Sequence, residues 1–173
     1  MIIDCLSKAI LLFVIYNVVT LMLFGVPKSL SSTYYLFKSR QDSLKVLFPV
    51  FVAMLSILLT PCWLEISVGS EWQFLAFLSG ASLLFVAATP AFNNSQLEDR
   101  IHDVAAYLCV IFATLWIILA THYWYVILIV LGIIAFIAIR TKTWKTGFIY
   151  WLEIVAFIST FISITCYHVS QIA

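Results

Sequence analysis

Six runs of apolar residues mark the chain, roughly at 9–26, 46–64, 73–88, 104–120, 123–139 and 148–166, and the segments between them collect most of the charge. Each run is close to the ~20 residues that a helix needs to cross the ~30 Å hydrocarbon core of a bilayer. In hydrocarbon an unpaired backbone N–H or C=O costs several kcal/mol, so a spanning chain must be helical or a closed barrel, and runs of this length predict helices. The expected fold is therefore all-α: a polytopic transmembrane helical bundle of about six spans, forming a single transmembrane domain over residues 1–173. The connections are short except the first, 27–45, whose SLSSTYYLFKSRQDSLK is expected to lie at the membrane interface or to fold against the bundle.

Charge placement gives the expected orientation, because Lys and Arg resist translocation. Lys28, Lys38, Arg40 and Lys45 fall in the first connection, Arg100 in the third, and Arg140, Lys142 and Lys145 in the fifth, whereas Lys8 alone falls on the opposite side. This alternation supports six spans, since a missed or added helix would scramble it, and it predicts that both termini face away from the cytoplasm. A cleaved signal peptide over the first run would instead put the basic connection outside, and no clear small-residue cleavage site follows Phe24. Asn94 or Ser95 is expected to cap the fourth span, Ser95 forming a capping box with Glu98. Composition then removes soluble folds: 64% of residues are hydrophobic, 10% are charged and mean hydropathy is +1.11. A net charge of +1 gives no basis for a nucleic-acid partner.

Ionisable groups inside a bilayer are expensive, at least ~2.5 kcal/mol on insertion scales, so their positions are the best pointers to function. Glu153 lies about one and a half turns into the sixth run. Tyr150, Glu153, Ala156, Thr160, Ser163 and Tyr167 share a helical face with it. His102 and Asp103 open the fourth run on the same predicted side, and His102, Ala106, Cys109, Ala113 and Ala120 form a small-residue stripe suited to contact with other helices. His102 reads either as part of a polar site or as an interfacial histidine bonded to Glu98 or Asp99. Asn17, Thr20, Ser56, Thr60, Ser79, Gly80 and Ser82 point to a shared polar interior, while the fifth run, with no polar side chain between Val126 and Ile139, reads as the peripheral, lipid-facing helix.

On the predicted outer side, Cys62 and Cys166 form a candidate disulfide in an oxidising compartment. Trp63, Trp72, Tyr123, Trp124 and Tyr125 read as an interfacial aromatic belt. No cysteine or histidine spacing matches a metal motif, and nothing calls for a cofactor.

The segments VPKSLSSTYYLF at 26–37, FLSGASLLFVAATPAF at 77–92 and LEDRIHDVAAYL at 97–108 resemble small uncharacterised polytopic membrane proteins of gut Bacteroidota and their phages. That resemblance implies a bacterial inner membrane and brings no assigned activity. A serine-plus-histidine pattern followed by small residues is also similar to the ceramidase and adiponectin-receptor group of membrane hydrolases, which implies seven spans and several histidines around zinc. The chain departs from that pattern: His102 falls on one predicted side and His122 and His168 on the other, ~30 Å apart.

The function expected from these features is binding of a membrane lipid, a small solute or a membrane protein partner through a polar core near the cytoplasmic side. Glu153, His102 and Asp103 supply its charged end, and Ser32, Tyr34 and Tyr35 act as lids. A small transporter or channel, with a homo-oligomer forming any sizeable pore, is the first alternative. An intramembrane hydrolase is the second, although no GxSxG, HExxH or P-loop is present.

Overall fold

The computed structural model describes residues 2–90 and 96–172, and among them every regular element is a helix. The α-helices are α1 (Ile2–Phe24), α2 (Thr33–Arg40), α3 (Leu47–Ile66), α4 (Gln73–Ala88), α5 (Gln96–Trp116), α6 (Trp124–Arg140) and α7 (Phe148–Ile172). A 3₁₀ turn over Asp42–Val46 leads into α3, and a π-helical turn over Ile117–Thr121 extends α5. Local chemistry ends these elements where sequence dictates. Gly25 takes a φ of 70°, open to glycine at no steric cost, and stops α1 while its N–H donates to the Leu21 carbonyl. His122 closes the π turn with a φ of 62°.

Four segments are long and apolar enough to cross a membrane: Ile2–Phe24, Asp42–Ile66, Gln96–Thr121 and Phe148–Gln171. The helices Gln73–Ala88 and Trp124–Arg140 are apolar but shorter. The outward faces match that solvent, since Leu11, Met22, Ile57, Phe77 and Phe136 all stand exposed, an apolar surface that water would penalise. The first span begins at Ile2 rather than near residue 9, because the polar residues Asp4, Ser7 and Lys8 sit on exposed helix positions. The capping box expected at Ser95 lies outside the described residues.

The helices pack through small residues and aromatic faces. Ser56 Oγ donates to the Gly80 carbonyl at 2.8 Å, and a Cβ on Gly80 would fall within 2.1 Å of Thr60 Oγ1, so α3 and α4 meet as closely as glycine permits. Tyr16 of α1 stacks on Phe51 of α3 with centroids 3.8 Å apart. α6 packs chiefly on α7 and the π turn, as expected of a peripheral helix. Asn17, Thr20, Ser56, Ser79, Gly80 and Ser82 are buried, as the sequence suggests, and Thr60 is half-buried. Ser79 and Thr160 give their hydroxyl hydrogens to the Leu75 and Ala156 carbonyls of their own helices, which satisfies them without a partner across the bundle.

A candidate amphiphile cleft between α5 and α7

The connection between α1 and α2 folds against the bundle and builds one wall of the site. Residues 26–30 form a strap across the first turns of α7. The Lys28 carbonyl accepts the Tyr150 N–H at 3.1 Å, satisfying a donor that the helix start leaves open, and the Leu30 N–H donates to Glu153 Oε2 at 2.7 Å. Gly147 makes room for the strap: a Cβ there would lie 2.5 Å from Val26 Cγ1 and 3.0 Å from the Pro27 carbonyl oxygen. The serines of SLSST fold the next turn on themselves, Ser32 Oγ donating to the Ser29 carbonyl at 2.7 Å. Thr33 Oγ1 donates to the Leu30 carbonyl and pairs with Tyr16 OH, both at 2.5 Å, and Tyr150 OH donates to Asn17 Oδ1 at 3.0 Å.

Beneath the strap lies a cavity of about 300 Å³ between α5 and α7. Ala106, Cys109 and Ala113 on α5 face Ala156 and Thr160 on α7 across it, and these short side chains hold the space open. Phe51, Val52 and Trp63 of α3 and Leu83 and Val86 of α4 close its far side. Leu30 and Ser31 of the strap line it near Glu153. From His102 to Ala113 the wall runs eleven residues of helix, or about 17 Å. Tyr107, Ile111, Ile149 and Leu152 line the cavity and are also exposed, so it opens sideways onto the apolar surface of the bundle.

Glu153 is the one carboxylate among the described lining residues, which include no Lys or Arg. His102, 2% exposed, lines the same cavity with its Nδ1 2.9 Å from the Thr89 carbonyl oxygen. A carbonyl only accepts, so Nδ1 carries a hydrogen and Nε2 is the acceptor nitrogen of the neutral ring. At the other end Trp63 lines the cavity, and Trp116 lies behind it, the two rings edge to face at 6.3 Å and both indole N–H groups buried with no partner among the described residues.

The structure brings Glu153 and His102 together in one cavity and leaves the other anticipated residues outside it. Asp103 is exposed, because one step along a helix turns the side chain by about 100° away from the His102 face. The Ser32 hydroxyl is committed to its own turn, and Tyr34 and Tyr35 pack edge to face on one another at 5.0 Å; none of the three lines the cavity. Cys62 and Cys166 are free thiols rather than a disulfide. Cys62 Sγ donates to the Leu58 and Ile2 carbonyls, which turns it toward α1. Trp63 is a core residue, 2% exposed, rather than part of an interfacial belt, while Trp72, Trp124 and Tyr125 are exposed as a belt requires. No group of three His, Cys, Asp or Glu that could hold a metal occurs among the described residues.

Sequence reasoning missed Leu30 and Ser31, which form the strap wall, and the aromatic far side of Phe48, Phe51 and Trp63. The available signal was an isolated leucine within a serine-rich turn, a residue that gains nothing from water. No family model, curated protein or solved structure matches this chain.

Proposed function

We propose that this chain is a six-span protein of a bacterial inner membrane, with both termini outside the cytoplasm, that binds an amphiphile in the cleft between α5 and α7. The observation that carries this reading is a lateral, almost wholly apolar cavity of about 300 Å³ with one carboxylate at its strap end. Sites for small ligands combine an apolar lining with a few placed polar groups, and this cavity has that composition. An opening on the lipid-facing surface suits a ligand arriving from the bilayer rather than from water. α4 and α6, of 16 and 17 residues, join the four longer helices as spans in this reading, and eight of the nine Lys and Arg then share one side.

Native mass spectrometry from mild detergent tests it. Wild-type protein is expected to retain an amphiphile adduct that Ala106→Trp, which fills the cleft from the α5 wall, releases. An identical adduct profile in the two proteins would remove the cleft from consideration. Transport and hydrolysis would draw on the same Glu153 and His102, but the apolar far side of Phe51, Val52, Trp63, Leu83 and Val86 favours holding a chain over passing a solute.

A further inference from the structure

We propose that the ligand of this cleft is a single-chain amphiphile with a protonated amine head group, its ammonium on Glu153 and its chain laid along α5 toward Trp63. The assignment rests on the amphiphile reading above and names the ligand class.

The sign of the head group follows from what the cavity contains. Glu153 lines it, and no ion pair to Glu153 exists among the described residues, where the pairs are Lys8–Asp4 and Lys45–Asp42. An anionic head would meet a carboxylate with no lining cation to offset it. A neutral head could only share a hydrogen bond with the carboxyl group, whereas a cationic head lets that group hold its charge in apolar surroundings. An ammonium supplies both the opposite charge and three donors. The Leu30 N–H already holds Oε2 at 2.7 Å, fixing the orientation of the carboxyl group while leaving acceptor capacity on its second oxygen.

The single chain follows from size and wall chemistry. A 300 Å³ cavity lies at the lower end of the range of small-molecule sites, which suits a head group with one chain segment better than a pair of chains. Alanines 106, 113 and 156 leave a channel running along the helices, and Trp63, 2% exposed and backed by the Trp116 ring at 6.3 Å, closes its end. Entry is lateral, past Tyr107 and Ile149, so the head can reach Glu153 with the chain still in an apolar medium.

The test uses the full chain in phosphatidylcholine nanodiscs, with dodecylamine, dodecanol and dodecanoic acid as probes and empty nanodiscs as the partitioning control. Saturable binding is read by native mass spectrometry. Dodecylamine is expected to be held about tenfold more tightly than dodecanol, with dodecanoic acid weakest. Glu153→Gln, which keeps an acceptor for the Leu30 N–H, is expected to bring the amine down to the alcohol, and Ala106→Trp to abolish binding of all three. Equal affinities in the wild type, or an amine preference that survives in Glu153→Gln, would overturn the head-group assignment while leaving the cleft as an amphiphile site. Absence of saturable binding for every probe would overturn the cleft reading itself. The wild-type ranking decides the head-group question even if a variant fails to fold.

Discussion

The backbone N–H of Leu30 and the carboxylate of Glu153 meet at 2.7 Å across 123 residues of sequence. This bond ties the connection after the first span to the start of the last, and it does so at the edge of the cavity that both residues line. A carboxylate at this depth is therefore a fastening as well as a candidate head-group site. The two roles use different oxygens, and Leu30 occupies only Oε2.

Removal of that fastening should loosen the strap and little else. Glu153→Ala leaves the Leu30 N–H without its acceptor, a loss of about 1–3 kcal/mol locally. Hydrogen exchange at Leu30 and Ser31 is expected to accelerate by about tenfold or more. Exchange along α3 and α4 should stay unchanged. Glu153→Gln should restore most of the protection, since an amide oxygen also accepts. Uniform acceleration across all helices would show that the side chain supports the whole bundle rather than the strap.

The same substitution at two glycines should have opposite signs. Gly80→Ala puts a Cβ within 2.1 Å of Thr60 Oγ1 at the α3–α4 contact, and overpacking of this kind costs about 1–3 kcal/mol. Thr60→Ala in the same chain should recover part of the loss. A Cβ on Gly132 in α6 meets nothing within 4 Å, so Gly132→Ala should stabilise by about 0.5–1 kcal/mol through the reduced entropy of the unfolded chain. Thermal unfolding in detergent measures both. Equal shifts would mean that α3 and α4 do not meet at Gly80.

How far the sequence could be read depended on whether a feature was periodic or built from distant contacts. Apolar runs separated by charge foretold the helices, and the lone Glu153 and His102 stood out because their cost in hydrocarbon needs an explanation. Their convergence on one cavity follows from both starting their helices on the same predicted side. Adjacency misled at Asp103, which sits beside His102 in sequence and away from it on the helix. Composition misled at Ser32, Tyr34 and Tyr35, whose polar groups suggested a lid, whereas the turn consumes the serine hydroxyl and the two rings pack on each other. That the first connection could fold against the bundle was legible, and Leu30 among serines hinted where, but its partners were not, because Lys28–Tyr150 and Leu30–Glu153 are contacts of the strap backbone.

Six spans with outward termini make a graded expectation for reporter fusions. Alkaline phosphatase should be active when joined after Gly69, His122 or the last residue, and inactive after Gln41 or Thr143. A fluorescent protein that matures only in the cytoplasm should give the complementary pattern. If α4 and α6, at 16 and 17 residues, fail to cross, the signal after His122 alone will invert, because Gly69 precedes α4 and keeps its side. The basic connections at 27–45 and 141–147 carry most of the orienting charge, so Lys28, Lys38, Arg40 and Lys45 changed together to Gln should weaken the fixed orientation.

Cysteine reactivity offers a readout of the cleft that requires no substitution. Cys5 and Cys166 are half-buried and should react first with N-ethylmaleimide in the folded protein, while Cys62 and Cys109 are buried and should react slowly. Only Cys109 of the slow pair lines the cavity. Occupation by dodecylamine should therefore slow labelling of Cys109 several-fold, as measured by peptide mapping, and leave Cys62 at its former rate. Equal slowing at both thiols would indicate general tightening of the bundle, and no slowing at Cys109 would place the amine elsewhere. Protection confined to Cys109 would locate the chain between α5 and α7, one and a half to two turns along α5 from His102, where the small side chains leave room for it.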